Sequence, residues 1–292
     1  MYYVVYGFFW LVSLLPLRVL YVLADGIYGI MFYIAKYRRD IVDNNLKIVF
    51  PEKTDKERYL IAKKFYHNLI DTFIETIKLV SASNKFIQKH CKGNWEVINN
   101  LKPTGRKVHV HLGHNFNWEW ANVAANGQLN MPFVGAYMPL KNKTLNRFFY
   151  NLRSSHGTLL VSATNMREDM MPYRNMQYMI GLATDQNPGH PASGYWFYFF
   201  GRPTPFINKT AKSAVAGEAA VVFAFIHKKK RGYYEVVFTL AEENAATTND
   251  LELTRKFVHY MEGVIRNYPD MWLWSHRRWK HEWKEEYGEV LK

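Results

Sequence analysis

From about Lys107 onward the chain alternates short apolar runs with stretches of helical periodicity, and this restricts the fold more than any other feature. KVHVHL precedes the helix-like NWEWANVAA, and FVGAYM precedes the helix-like KNKTLNRFFYNLRSSHG. TLLVS, YMIGLAT, AAVVFAFIH and YYEVVFTL follow. Strand–helix alternation of this kind predicts an α/β fold, a central mixed sheet flanked by helices. The polar KKKRG between the last two runs reads as the turn of an antiparallel hairpin, expected at the sheet edge. Upstream, Phe50-Pro51 breaks the chain and Thr54-x-x-Glu57 has the form of a capping box. Ile61, Phe65, Leu69, Phe73 and Ile77 then recur at helical spacing, with Lys63, Lys64 and Glu75 between them, so an amphipathic helix is expected. No Gly/Ser-rich linker or internal repeat separates these parts.

The opening is different in kind. Met1 to Leu17 carries no charged side chain, and after Arg18 the apolar character resumes, interrupted by Asp25, until Lys36, Arg38 and Arg39. A secretory signal would place its positive charge first and a small-residue cleavage site after, and neither is present. The uncharged stretch is at the short limit for a spanning helix, which needs about 20 residues. Tyr2, Tyr3, Tyr6 and Trp10 suit the membrane–water interface. Residues 1–36 are therefore expected to form a membrane anchor or interfacial helices, and 37–292 the remaining domain. The basic cluster would then stay cytoplasmic against anionic headgroups. An aromatic-rich core helix is the plainer alternative.

Lys and Arg outnumber Asp and Glu by 38 to 25, a formal +13, and aromatics make up 16% of the chain. That balance points to nucleic acid, an anionic membrane or a phosphorylated lipid. The charge is spread along the chain and the uncharged opening has no use on nucleic acid, so a lipid or membrane surface fits better. A single cysteine, Cys91, rules out a disulfide framework and suits a reducing compartment.

Two constellations could carry chemistry. His109-x-His111-x-Gly113-His114 resembles the H-x-H-x-D-H motif of metallo-β-lactamase-type hydrolases, with Gly113 at the aspartate position. Since His109 and His111 alternate with Val108, Val110 and Leu112, they also read as one face of a strand. The sharper signal is His114-x4-Glu119. If His114 lies in the bend after the strand, freed by Gly113, and Glu119 in the helix that follows, Glu119 can hold one imidazole nitrogen. The other is then left to take a proton from an alcohol. A strand-end histidine and a solvated glutamate that never meet fit the same spacing. No G-x-S-x-G elbow is present, and Ser275-His276 and His90-Cys91 are adjacent pairs whose side chains do not face each other.

GHNFNWEW resembles the G-H-x-G-N-W-E motif of the bacterial lipid A late acyltransferases. The resemblance continues in order through Tyr137-x-Pro139-Leu140-Lys141-Asn142, Arg153-x3-Gly157, Thr184-Asp185-Gln186-Asn187-Pro188, Arg231-Gly232-Tyr233-Tyr234, and Tyr268-Pro269 with the Trp272-to-Lys280 run. Tyr37-Arg38-Arg39, Asn45-Leu46 and Phe50-Pro51 fit its start. Phe116 stands where many members have Gly, and Phe206-Ile207-Asn208 departs from a small-residue position. The resemblance implies a glycerolipid-acyltransferase-like fold on the bacterial inner membrane, its active site facing the cytoplasm. It also implies transfer of a fatty acyl chain from a thioester, commonly acyl–acyl carrier protein, to a hydroxyl of a membrane glycolipid, without cofactor or metal. Related acceptors, an aminolipid or a pigment lipid, stay open.

In that reading His114 is the base and Glu119 its orienter. Arg153 stabilises the oxyanion or grips a phosphate, unless it is a solvated helix residue. Asp185 holds Arg153 or contacts the acceptor, unless it is a plain turn aspartate. Asn117, Trp118, Tyr137, Asn142, Gln186, His276, Arg277 and Arg278 are the substrate-binding candidates. The carboxyl-terminal run WLWSHRRWKHEWK is either an interfacial belt or aromatic packing with a solvated basic face.

Overall fold

In the computed structural model, which describes residues 1–292, the apolar runs become strands in chain order. They are β1 (Cys91–Gly93), β2 (Val108–Leu112), β3 (Phe133–Tyr137), β4 (Leu159–Ser162), β5 (Met179–Ala183), β6 (Tyr195–Phe199), β7 (Arg202–Phe206), β8 (Ala220–Lys230), β9 (Tyr233–Glu242) and β10 (Val290–Leu291). A seven-stranded sheet runs β1-β9-β8-β2-β5-β3-β4, and a small three-stranded sheet runs β10-β6-β7. The large sheet is mixed, since β8 is parallel to β2 and antiparallel to β9. The α/β architecture is as expected.

The hairpin differs in two ways. Lys228, Lys229 and Lys230 belong to β8, which leaves Arg231 and Gly232 to turn the chain. Gly232 takes φ +76°, and a Cβ there would come within 2.5 Å of the Tyr21 hydroxyl oxygen, so both backbone and space call for glycine. Nor is the hairpin the edge, because β1 pairs with the outer side of β9. Nothing in YYEVVFTL marks it as a strand with neighbours on both sides.

The amino-terminal helices are α1 (Tyr2–Leu14), α2 (Leu17–Gly29, running on as a π-helical turn to Ile34), α3 (Arg39–Val49) and α4 (Asp55–Lys78). Pro16 separates the first two. The capping box at α4 forms in full: Thr54 accepts from the Glu57 amide while Glu57 accepts from the Thr54 amide. Phe65 and Leu69 are buried on α4, whereas Phe73 at the same spacing is 56% exposed.

Asp71 of α4 is an ionic junction. It accepts from Lys228 Nζ at 2.8 Å and from Arg231 Nε at 3.0 Å, and Arg231 also reaches Asp25 of α2 at 2.6 Å. Burial alone would raise the Asp71 pKa, but His67, Lys228 and Arg231 outweigh it and hold the carboxyl at about 2. The acidic residue inside the apolar α2 therefore ties this helix to the hairpin. At about 1.5 Å per residue the thirteen-residue α1 is too short to cross a hydrocarbon core. Leu17–Ile34 is 18 residues long with mean hydropathy 1.5, long and apolar enough to cross by composition alone.

The remaining helices are α5 (Asn84–His90), α6 (Glu96–Asn99), α7 (Trp118–Ala125), α8 (Lys143–Ser154), α9 (Met166–Met170), α10 (Lys209–Ala216) and α11 (Asp250–Asn267). On one face of the sheet Phe223 and Phe225 join Phe257 and Met261 of α11 in the larger core. On the other, Val110, Ala224 and Val236 pack with Trp120 of α7 and Phe148 of α8. Of the carboxyl-terminal tryptophans, Trp279 is half-buried and Trp283 is exposed. Trp272 and Trp274 are buried in the larger core, and Arg277 and Lys280 form the solvated basic side. Asn45 of α3 fastens this segment by donating to the Trp274 and His276 carbonyls, each at 2.8 Å.

Candidate active site

Strand residues that face α4, α7 and α8 are small at the middle of the sheet: Gly135 on β3, Gly181 and Ala183 on β5, Ala224 on β8. Side chains that do not fill the layer leave a cavity of about 600 Å³, walled mainly by hydrophobic groups such as Leu69, Trp95, Phe133, Phe149 and Phe238. That is the size of a typical small-ligand site, about 300–1,000 Å³. Its few polar groups include His114, Glu119 and Arg153.

His114 follows the C-terminal end of β2, and Asp185 follows the end of β5. The two strands are parallel, with Leu112 opposite Ala183, so each residue stands two places past the paired position. His114 Nδ1 lies 2.6 Å from Asp185 Oδ1, and the His114 amide donates to Oδ2 at 2.9 Å. Trp272 Nε1 donates to the same Oδ2 at 2.8 Å. Burial would raise the Asp185 pKa, but His114 and the two N–H donors outweigh it, holding the carboxylate at about 2. Burial would lower the His114 pKa, and the Asp185 charge outweighs it and lifts it above 6.5.

Glu119 does not orient His114. It lies in the first turn of α7, and Arg153 of α8 grips its carboxylate through Nε at 3.1 and 3.0 Å from the two oxygens. Trp118 Nε1 also donates to Glu119, at 3.1 Å. The two charged pairs are thus His114–Asp185 and Glu119–Arg153. Of the sequence expectations, Glu119 on the imidazole is not what the fold forms, and Asp185, open between holding Arg153, contacting the acceptor and a plain turn, pairs with His114 instead. Spacing suggested a local partner, whereas strand register supplied a distant one. Burial works against the Arg153 charge, and Glu119 outweighs it, so the guanidinium pKa rises. Arg153 Nε and one Nη serve Glu119, and the other Nη makes no hydrogen bond to the protein.

Gly113 also acts otherwise than expected. Its φ is not in the left-handed region, and a Cβ there would come within 2.3 Å of Met261 Cε, so the Met261 side chain packs into the space the glycine leaves. Phe116, where a glycine was expected, is fully buried against Phe65.

The other candidates divide. Trp118 and Tyr137 line the cavity. Gln186 places its Nε2 3.1 Å from His114 Nε2. Asn117 is fully buried and its side chain is taken up by internal partners. Its Oδ1 caps α7 on the Trp120 amide, and its Nδ2 donates to Glu75 at 2.9 Å. Arg278 is likewise 0% exposed, committed to Asn187 Oδ1 and to the Pro205 carbonyl at 2.9 Å. Asn142 caps α8 on the Leu145 amide. His276 is half-buried; burial and the Arg278 charge push its pKa down to about 4. Arg277 is exposed.

Neither His109 nor His111 lines the cavity; His111 packs on Phe223 and Phe257 with His109 beside it, and burial pushes the two histidines down to about 4 (His109) and about 3 (His111). No group of three or more His, Cys, Asp or Glu side chains is arranged there or elsewhere so that it could hold a metal ion. Trp272 and Glu75 were not singled out from the sequence. Trp272 lay inside a recognised block, but only the fold turns its indole to Asp185. Glu75 sat among the polar residues of an amphipathic helix, yet it is buried and accepts from Tyr234 at 2.6 Å and Tyr21 at 2.8 Å.

Residues 1–281 match the family model described as bacterial lipid A biosynthesis acyltransferase. The chain is 23% identical over 281 residues to a lipid A biosynthesis palmitoleoyltransferase of Escherichia coli, covering 94% of this chain and 89% of that protein. It is 24% identical over 284 residues, with the same coverage, to a lipid A biosynthesis lauroyltransferase of the same organism.

Proposed function

Because the chain belongs to the bacterial lipid A biosynthesis acyltransferase family and is an acyltransferase, we propose that it moves a fatty acyl chain from acyl–acyl carrier protein to a hydroxyl of a lipid A precursor, with His114 as the general base and Asp185, not Glu119, as its partner. The observation that carries this reading is the His114–Asp185 pair at 2.6 Å, bordering a hydrophobic cavity of about 600 Å³.

The steps follow from the donors and acceptors. Nδ1–H donates to Asp185, which leaves a lone pair on Nε2 for the acceptor hydroxyl. As that oxygen adds to the thioester carbonyl, Asp185 stabilises the imidazolium, as the buried carboxylate of a serine triad does. The free Nη of Arg153 is available to the oxyanion, with Glu119 fixing the guanidinium. Collapse breaks the C–S bond and His114 returns its proton to the departing thiolate. The acyl tail occupies the cavity, where Trp118 and Tyr137 form part of the wall.

Membrane association belongs to the same proposal. α1 packs on α4 and α8 and leaves Val4, Phe8 and Leu11 exposed, while Phe73, Met138 and Leu140 are exposed cavity-lining residues. We assign α1 and α2 to the inner-membrane surface, with the active site on the cytoplasmic side where acyl carrier protein is found. The test is transfer from dodecanoyl–acyl carrier protein to an underacylated lipid A precursor by the purified protein, against His114→Ala. Transfer should fall at least about 10²-fold, the lower range for a general base. Retention of transfer in that variant removes His114 from the chemistry.

A further inference from the structure

Gln186 stands where an incoming hydroxyl must stand. Asp185 is an acceptor on Nδ1 of His114, so the lone pair of the ring lies on Nε2. The Gln186 carboxamide nitrogen is 3.1 Å from that atom and donates to it. Gln186 is not among the residues that line the acyl cavity, although His114 is. It therefore meets the imidazole from outside the cavity, the side left for an acceptor.

The surroundings divide into a fixed part and a movable one. The residues on either side are pinned through their side chains. Asp185 is held by Trp272, and Asn187 by the buried Arg278 and by its own bond to the Arg277 carbonyl at 3.0 Å. The half-buried Gln186 side chain makes a single hydrogen bond, the one to His114. A neutral bond of that kind is readily exchanged for an equivalent one. A tethered carboxamide also competes well against a free water molecule, which no other contact holds in place.

We propose that Gln186 guards the base: in the acyl-loaded enzyme without acceptor its carboxamide occupies His114 Nε2 and keeps water from it, and an acceptor hydroxyl, anchored by the rest of its lipid, displaces it. This rests on the acyl-transfer reading. The reaction that the guard suppresses is hydrolysis. Water gives one proton to His114 as its oxygen adds to the thioester carbonyl. The C–S bond then breaks, that proton passes to the thiolate, and the other hydrogen stays on the carboxylic acid. The products are a free fatty acid and a free thiol.

The experiment uses the full chain and dodecanoyl–acyl carrier protein, measuring free thiol without acceptor and acyl transfer with an underacylated lipid A precursor. In Gln186→Ala, and in Gln186→Ser as a second variant, acceptor-independent thiol release should rise about tenfold, a modest share of what a base exposed to water supplies. The ratio of transfer to hydrolysis should fall accordingly. Adding His114→Ala to Gln186→Ala should abolish the extra release. Release that stays at the parent rate while transfer continues overturns the guard, as does a parallel fall in both, which would make Gln186 a binding or packing residue. Extra release that survives in the double variant also overturns it. Transfer retained by His114→Ala alone overturns the base instead, so the two failures are distinct.

Discussion

Replacing Asp185 by Asn preserves shape and removes one charge, and the geometry fixes what the carboxamide must do. Two N–H groups, the His114 amide at 2.9 Å and Trp272 Nε1 at 2.8 Å, converge on Oδ2. The single oxygen of the new carboxamide is drawn to them, which turns its NH₂ toward His114 Nδ1. A donor facing Nδ1 forces the ring proton onto Nε2, and the base nitrogen loses its lone pair. Wrong tautomer and lost charge act together, so transfer at neutral pH should fall about 10³–10⁴-fold, the range seen when a general base or its buried carboxylate partner is disabled.

The pH profile carries a second signature. In the parent, Asp185 lifts the His114 pKa above 6.5, and only the neutral ring accepts a proton, so activity rises with pH through a midpoint above that value. In Asp185→Asn the lifting charge is gone and burial remains, so the residual activity should titrate below 6.5. Initial rates from dodecanoyl–acyl carrier protein across this range measure both effects, with Glu119→Gln as the control. The reasoning fails if Asp185→Asn stays within about tenfold of the parent, or if the control shifts the midpoint and Asp185→Asn does not.

The second charged pair should behave differently. Arg153→Ala leaves Glu119 with its side chain 5% exposed and no cation. It should lose roughly 3 kcal/mol in urea unfolding, and adding Glu119→Gln should recover stability but not transfer. A cycle with no such recovery refutes the pairing as a structural unit. Asp71→Ala strands Lys228 and leaves Arg231 to Asp25 alone, so it should cost roughly 3 kcal/mol in urea unfolding. Because the folded Asp71 pKa is about 2, below its ordinary 3.8, that stabilisation is complete above 3.8 and fades as pH falls toward 2. An acid titration in which parent and variant lose stability in parallel through that window would remove the assignment.

Local rules were legible where the determinants are local. Thr54 and Glu57 announce their helix because a capping box needs nothing beyond four consecutive residues. The β3, β4 and β5 runs read correctly because strand–helix alternation imposes its own periodicity. The β6–β7 ribbon carries no such signal: YWFYF is buried at three of five positions and shows no clean alternation. The hairpin was recognised, but its place in the sheet was not, since β1 is three residues long and carries no pattern of its own. Among the site candidates, Asn117 and Arg278 drew attention as polar residues in motif blocks, and their jobs turned out to be internal. Each satisfies buried partners, which a sequence cannot distinguish from holding a substrate.

The chain by itself determined the α/β class, the ordered blocks and the short set of charged residues from which a site could be built. Which carboxylate serves which cation was decided only by the tertiary structure. His114 and Glu119 are five residues apart, and His114 and Asp185 are seventy-one apart. The second pair is the one that meets, because parallel strands in register carry their following residues to the same end of the sheet, while the turn into α7 swings Glu119 toward α8. Proximity in space follows hydrogen-bond register, and register is a property of the assembled sheet.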